Sequence, residues 1–338
     1  MNNLIALINK HCKLTKLNNV WEKVENFVNS RRAFSIKELI FLLKAGLYFY
    51  IFRIDPLYQG HFEKKFTDKF CDFMGGGYAD AVNSGTNACY VAIRALNLCK
   101  KSNIGVTLFT NPGVVNAITI AGFKPVILPI VSEFDHNIDI DKMERILIRN
   151  KLTALIINYA FGDIQNLKKL IKICKKYRVH LIEDISQSVG GKYLGDHVGT
   201  FGSISFCSTM GRKNLTTGST GGLVYTKDPV IYRRVLSLSD RGKKIYDDNV
   251  VSKDTSENSE ISLNFSSDEF LCAIGLASLS RLPRIVEKRR RILDLFAKQI
   301  SSPQINNHLK IVEYNKECAP FIGLIQILDS KLLNSKEK

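Results

Sequence analysis

The sequence lacks several features that would settle its class at once. None of its eight cysteines (Cys12, Cys71, Cys89, Cys99, Cys174, Cys207, Cys272 and Cys318) forms a Cys-x-x-Cys pair, and no zinc-finger spacing occurs. A disulfide framework or a structural zinc site is therefore excluded as the organising device, and reduced, mostly buried thiols in a cytoplasmic protein are expected. The start has no basic-then-apolar leader layout. No apolar run is long enough to span a bilayer: the longest, Leu39–Phe52, holds 14 residues and contains Lys44. As a helix it covers roughly 21 Å at about 1.5 Å per residue, against a hydrocarbon core of about 30 Å. Acid is also short. Lys plus Arg number 48 and Asp plus Glu 32, a formal net charge of +16. That surplus suits anionic partners. No RNP-like run or basic heptad region accompanies it, so nucleic acid is not expected as a partner. Much of the basicity, including Lys288-Arg-Arg-Arg291, reads as solvated helix surface.

What the chain does contain is an alternation of strands and helices. Short apolar runs at Val106–Phe109, Pro125–Pro129, Ala154–Ile157 and His180–Ile182 are separated by helical periods at Gly113–Ala121, Asp141–Arg149 and Asn166–Tyr177. Continuous apolar strands between helices predict an α/β fold, with a mostly parallel central sheet covered on both faces. Ligands of such sheets bind beyond the carboxyl ends of the strands. Residues 1–60 differ from this pattern and are expected as an N-terminal helical extension. Val20, Trp21, Val24, Phe27 and Val28 share one helical face, and Ser35-Ile-Lys-Glu38 reads as a capping box opening the helix through Phe52. That helix is expected to lie on the main domain or a partner subunit. The sharper alternative is a peripheral contact of residues 39–52 with a membrane surface. Residues 61–242 are expected as the large domain, beginning with a helix over 61–75 whose Phe62, Phe66, Phe70 and Phe73 form a core stripe. Residues 243–338 are expected as a small C-terminal α+β domain, incomplete at its end. It comprises a polar loop at 243–261, helices Ser267–Arg281 and Pro283–Ile300, strands within 309–328, and the beginning of a helix over Asp329–Lys338.

The chemistry concentrates between Glu183 and Gly222. Asp184 ends an apolar run. About 30 residues later Lys213 sits in a loop rich in Ser, Thr and Gly, before Gly218, Gly221 and Gly222. A carboxylate at a strand end and an amine in such a loop suit pyridoxal 5′-phosphate, whose ring nitrogen needs an acid partner and whose aldehyde takes a lysine as a Schiff base. Upstream, Ser84-Gly-Thr86 before an apolar helix turns several backbone N–H groups outward, a natural phosphate cradle.

Read in order, these motifs resemble those of the pyridoxal-phosphate-dependent sugar aminotransferases of the DegT/DnrJ/StrS type, over roughly Phe62 to Phe296. Asn83-Ser-Gly-Thr-Asn-Ala88 is similar to S-S-G-T-A-A, and Asn158-Tyr-Ala-Phe-Gly162 to V-H-L-Y-G. Glu183-Asp-Ile-Ser-Gln187 resembles E-D-A-A-Q, and Gly202-Ser-Ile-Ser-Phe-Cys-Ser208 aligns with G-D-I-G-C-F-S. Lys213-Asn-Leu-Thr-Thr-Gly218 reads as K-N-L-T-T-G, and Ala273-Ile-Gly-Leu-Ala277 as A-I-G-L-A.

The resemblance implies a type I pyridoxal-phosphate fold and a transaminase. The enzyme would move an amino group from an amino acid such as glutamate to a nucleotide-linked ketosugar, in surface polysaccharide or amino-sugar biosynthesis. It implies that Lys213 is the catalytic lysine and that Asp184 pairs with the ring nitrogen. Gln187 would bond the ring hydroxyl. Gly85, Thr86 and Asn87 would hold the phosphate with help from Ser208. Asn264 would reach the cofactor of a second subunit, which implies a homodimer with shared sites. Some positions depart from the pattern. Thr110-Asn-Pro-Gly-Val-Val115 has no aromatic after the turn, so the ring is expected to meet an aliphatic neighbour there. Ser266 stands where the family has Arg, and Leu271 where it has Gln. The alternatives are a sugar dehydratase on the same scaffold, in which the resemblance implies histidine where this chain keeps Lys213, and a catalytically silent regulatory relative.

Overall fold

The computed structural model describes residues 35–54, 60–132, 135–246, 249, 251–252, 258–301 and 306–328. The helical face expected at residues 20–28 and the final segment 329–338 lie outside them. Ser35 opens α1 (Ile36–Phe52), the first helix among the described residues, as its spacing predicts. Its hydroxyl accepts from the Lys37 amide at 3.2 Å, and Glu38 accepts from the Ser35 amide at 2.7 Å. Glu38 is fully buried and paired with Arg281 at 2.5 Å. One face of α1 is thereby committed to the body of the protein through Ala45 and Phe49. Its other face carries Leu39, Leu43, Leu47, Tyr50 and Ile51 into solvent.

Helix α2 (His61–Met74) buries the aromatic stripe expected of it, except that Phe73 is only half-buried. The chain then enters β1 (Tyr78–Val82), α3 (Gly85–Ala95), β2 (Asn103–Thr107), α4 (Pro112–Ile120) and β3 (Lys124–Leu128). A small hairpin, β4 (Ile130–Ser132) and β5 (Asp135–Ile138), precedes α5 (Ile140–Arg149), β6 (Leu152–Asn158), α6 (Leu167–Tyr177) and β7 (His180–Asp184). A second hairpin, β8 (Lys192–Tyr193) with β9 (Asp196–His197), leads to β10 (Ile204–Ser208), β11 (Gly222–Thr226) and α7 (Pro229–Ser239).

The central sheet has seven strands in the order β1-β11-β10-β7-β6-β2-β3. Only β11 runs against the others: it pairs antiparallel with β1 and β10, while the remaining pairs are parallel. The strands are apolar on both sides because helices cover both faces. One face packs Leu155, Ile157 and Leu181 toward α2 and α6, and the other packs Ala154, Ile156 and Ile182 toward α3 and α4. The carboxyl ends of β1, β10, β7 and β6 therefore share one edge. Asn83–Thr86, Ser208, Asp184 and Asn158 all lie along it.

One expectation fails. The two helices predicted to break at Pro283 are a single helix, α8 (Glu269–Ile300), with the proline inside. Proline removes one main-chain hydrogen bond. Here the apolar stripe of Leu279, Leu282 and Val286 continues through the site in the core, and that burial holds the two halves in line. Glu269, at the first turn of α8, accepts from the Phe62 and Glu63 amides at 2.8 Å each, which fixes α8 to the start of α2. Beyond α8, β12 (Leu309–Ile311) and β13 (Ile325–Ile327) form a two-stranded antiparallel sheet.

Candidate active site

Asp184 ends β7 with its carboxylate on the α3 face of the sheet and is almost completely buried. Burial drives its pKa up, partly countered by hydrogen bonds from Ser186 and by the positive charge of Lys213. The Ser186 amide donates to Asp184 Oδ1 at 2.9 Å. Lys213 faces the converse conflict. Burial pushes its amine's pKa down, while the charge of Asp184 holds it up. Two opposite charges desolvated together, each favouring the other's ionised form, constitute a preorganised acid–amine pair.

The Lys213 loop is fixed by its own polar residues. The Thr217 amide donates to the Thr209 carbonyl at 2.9 Å and the Gly211 amide to the Ser219 carbonyl at 3.0 Å. The Thr216 amide reaches Ser278 of α8 at 3.1 Å. The ring of Phe321, 108 positions later in the chain, lies over the Lys213 ammonium at 4.6 Å from its centroid. Arg289 approaches the same ring at 5.9 Å and bonds the Asn214 side chain and the Pro320 carbonyl. The Phe321 amide donates to the Phe161 carbonyl at 2.8 Å, and the Ala319 amide to the Gly162 carbonyl at 3.1 Å. Gly162 has φ of +91°, and a Cβ there would run into the Ala319 carbonyl oxygen, so only glycine admits this close crossing.

The cradle lies beside the acid. Ser84 caps α3 by accepting from the Asn87 amide at 3.1 Å. First-turn amides of a helix have no partner within it. Of the three residues expected to bind an anion, Asn87 commits its amide to Ser84, leaving the amides of Gly85 and Thr86 for that purpose. A Cβ on Gly85 would come within 2.5 Å of Ser208 Cβ. Glycine at 85 is thus what lets the turn close onto the end of β10. Ser208 is held in turn, its amide donating to Ser186 Oγ at 2.9 Å. Gln187 is at the same edge, its side-chain oxygen accepting from the Phe161 amide at 2.6 Å. Its NH₂ group is the part left to meet a ligand.

Asn264 is placed differently. It is exposed, and its side-chain oxygen is taken up locally by the Ser266 amide at 3.2 Å. The segment around it runs beside the cradle turn, with the Asn83 amide donating to the Phe265 carbonyl at 2.8 Å.

Some site residues were not assigned roles in advance. Glu183, next to Asp184 but on the opposite face, accepts from Tyr159 Oη at 2.6 Å and from the amides of Gly199, Phe201 and Gly202. Asn158 is the register partner of Asp184 on β6, so its side chain faces the same way. Its Oδ1 is buried and has no protein partner, as is Thr107 Oγ1 on β2. Both line a small cavity with Phe109, His136 and Asp163. The segment Asn158–Gly162 marked this region in the sequence, but periodicity does not reveal which of its polar atoms go unpaired.

Among the described residues, no cluster of His, Cys, Asp and Glu is arranged to hold a metal, and no helix is long and apolar enough to cross a membrane. The residues present fit a phosphorylated aromatic aldehyde: a glycine-floored turn for the anion, a buried carboxylate, a desolvated amine, and unpaired polar atoms along the strand edge.

Known proteins give the same picture. The chain is 30% identical over 244 residues to a GDP-perosamine synthase from Escherichia coli O157:H7, covering 72% of this chain and 64% of that protein. It is 28% identical over 257 residues to a UDP-4-amino-4,6-dideoxy-N-acetyl-beta-L-altrosamine transaminase from Campylobacter jejuni, covering 75% and 65%. The chain thus spans just under two thirds of the length of these relatives. In three dimensions it is similar to Helicobacter pylori PseC, an aminotransferase of pseudoaminic acid biosynthesis, with a TM-score of 0.77 at 22% identity, covering 90% of this chain and 78% of that one. This likeness shows the type I fold. The family model of the DegT/DnrJ/EryC1/StrS aminotransferases matches residues 51–336, and the chain belongs to that family.

Proposed function

We propose that the protein is a pyridoxal-phosphate-dependent aminotransferase acting on a nucleotide-linked ketosugar, with an amino acid such as glutamate as donor. The observation that carries this reading is the Asp184–Lys213 pair, buried together beside a cradle floored by Gly85. When bound, the cofactor supplies an aldehyde to carry the amino group and a protonated ring to withdraw electrons. The chain's own residues do the rest. Lys213 would hold the cofactor and serve as general base at the substrate carbon. Burial lowers the pKa of this amine, and Asp184 opposes that shift. Asp184 holds the ring nitrogen protonated. Gly85 and Thr86 present amides to the phosphate with Ser208 beside them, and Asn87 braces the turn through Ser84. Gln187 orients the ring through its NH₂. Residues 61–242 carry these groups, and residues 243–338 close over the substrate, with Phe321 as a wall.

The partners belong to the same reading: a nucleotide sugar, an amino acid, and a second copy of the chain to which the exposed Asn264 reaches. Retention of lysine at 213 disfavours a dehydratase. The exposed apolar face of α1 offers a membrane-surface contact as well.

The purified protein should gain a visible absorption band on addition of pyridoxal phosphate. Borohydride should bleach the band and leave a pyridoxyl mark on Lys213 in peptide mass maps. Glutamate should convert the band. A protein that takes up no pyridoxal phosphate would overturn the reading; one that binds it but does not respond to any amino acid would be a silent relative.

A further inference from the structure

The amino-terminal edge of the sheet carries a cavity that the candidate active site does not use. It has a volume of about 430 Å³ and lies between the last turn of α6 and the loop that enters β10. His180 and Leu181, which open β7, belong to its lining. Asp184 ends the same strand, so four residue steps of about 3.3 Å put the two sites roughly 13 Å apart, at opposite edges of the sheet. A volume of about 300–1,000 Å³ is typical of sites for small molecules.

Two properties of the lining select a ligand. One is apolar surface: Ile171 and the Phe201 ring are half-buried, beside the buried Val179 and Leu181. The other is charge of a single sign. Lys175 and Arg178 line the cavity and are exposed, and no acidic residue joins them among the described residues. Neither side chain has an ion-pair partner among the described residues, whereas the neighbouring Lys176 pairs with Glu144 at 3.0 Å. Nor do these cations cap α6, because the carbonyls of Cys174 and Lys175 accept from the amides of Val179 and Arg178. His180 adds no charge near pH 7, since burial lowers its pKa; its Nδ1 lies 3.0 Å from Ser203 Oγ. The wall is fixed in advance. The Phe201 and Gly202 amides donate to Glu183 at 2.7 and 2.6 Å, and the Ser203 amide to the Leu181 carbonyl at 2.9 Å. A preformed site gives up little freedom on binding.

We propose that this cavity is a second binding site, for a small aromatic anion whose ring meets Phe201 and whose acidic group meets Lys175 and Arg178. An aromatic ring offers both area and a preferred stacking geometry to Phe201. Apolar surface alone would take a neutral molecule, and the cations alone an inorganic ion; the cavity joins the two. This inference is independent of the cofactor reading, because the site stands at the other end of β7 and shares no residue with it.

4-Azidobenzoate is an aromatic anion that marks its site on irradiation. In the full-length protein, with and without pyridoxal phosphate, its adducts should fall within residues 171–181 and 201–203 in peptide mass maps. Benzoate should suppress the labelling, while benzamide, its neutral counterpart, and sodium sulfate at the same concentration should not. Lys175→Gln combined with Arg178→Gln should weaken labelling by about five-fold or more. Lys172→Gln, which removes an exposed lysine of α6 outside the lining, should leave it unchanged. Melting temperatures of both variants should match the parent, so that a loss of labelling is not a loss of fold. Labelling that survives the double exchange, or that benzamide suppresses as well as benzoate does, would overturn the proposal in favour of an uncharged apolar cleft. Suppression by sulfate would overturn it in favour of an inorganic-ion site. Adducts scattered over the surface, or lost when pyridoxal phosphate is added, would overturn it outright.

Discussion

Glu183 and Asp184 are neighbours in sequence, equally buried, and point to opposite faces of β7. Burial raises the pKa of both. They differ in how the protein answers that cost. Glu183 receives one phenol and three backbone amides, while Asp184 receives hydrogen bonds from Ser186 and the distant charge of Lys213. A buried carboxylate satisfied by its own fold is structural. One left undersupplied, across from a desolvated amine, is arranged for a ligand. Glu183 ties the 199–202 loop and Tyr159 to β7, and that scaffold holds its neighbour in place.

The comparison breaks most sharply at Asp184 and Lys213. Lys213→Ala should lower transamination by about 10²–10⁴-fold or more, since proton transfer is lost along with the attachment point. Asp184→Asn should also lose activity while keeping or raising the melting temperature, because it removes a poorly compensated buried charge. Glu183→Gln should show the reverse balance. Unfolding in urea should reveal a loss of about 1–3 kcal/mol from buried donors left without a full acceptor, with cofactor binding retained at low temperature. If Glu183→Gln is as stable as the parent but inactive, the division between the two acids fails.

Next in size is Gly85→Ala. Its methyl meets Ser208, so the turn must open, and affinity for pyridoxal phosphate, measured by absorbance titration, should fall more than stability does.

A third buried acid sharpens the contrast through pH. Asp80 on β1 has its pKa raised to about 7 by burial, with Asp240 adding repulsion and Ser239 opposing it. Lys243 pairs with Asp240 at 2.7 Å, and Arg241 pairs with it as well. A carboxyl with a folded pKa above its unfolded value of 3.8 binds more protons in the folded state. Its contribution is present in full below 3.8 and is lost as pH rises toward about 7. Asp80→Asn should flatten that slope in melts taken across this window. The smallest effect is expected for Gln187→Ala, a weakening of cofactor binding by about 1 kcal/mol.

Local signals told most of the architecture. The capping box at Ser35 and the apolar strands report on neighbours within a few turns of chain, and these elements appear near their expected places. The wall formed by Phe321, the clamp by Arg289 and the Tyr159–Glu183 bond join residues between 24 and more than 100 positions apart, which no periodicity encodes. Pro283 misled for a related reason. Its local cost is real, but the core packing of Leu282 and Val286 outweighs it. Asn158 shows a further limit, since a residue type carries no mark of whether its partner is protein or ligand.

The crossing of Ala319 over Gly162 has a consequence for how the protein is made. Asn214 bonds the Ala319 carbonyl across 105 positions, so the pocket around Lys213 is completed by a segment synthesised much later. At about 5–20 residues per second, the lysine waits roughly 5–20 s on the ribosome before its last wall emerges. During that interval the amine and the cradle are open to solvent from the side that Phe321 will close. Closure of that side therefore depends on residues made last and not on the sheet that carries Lys213.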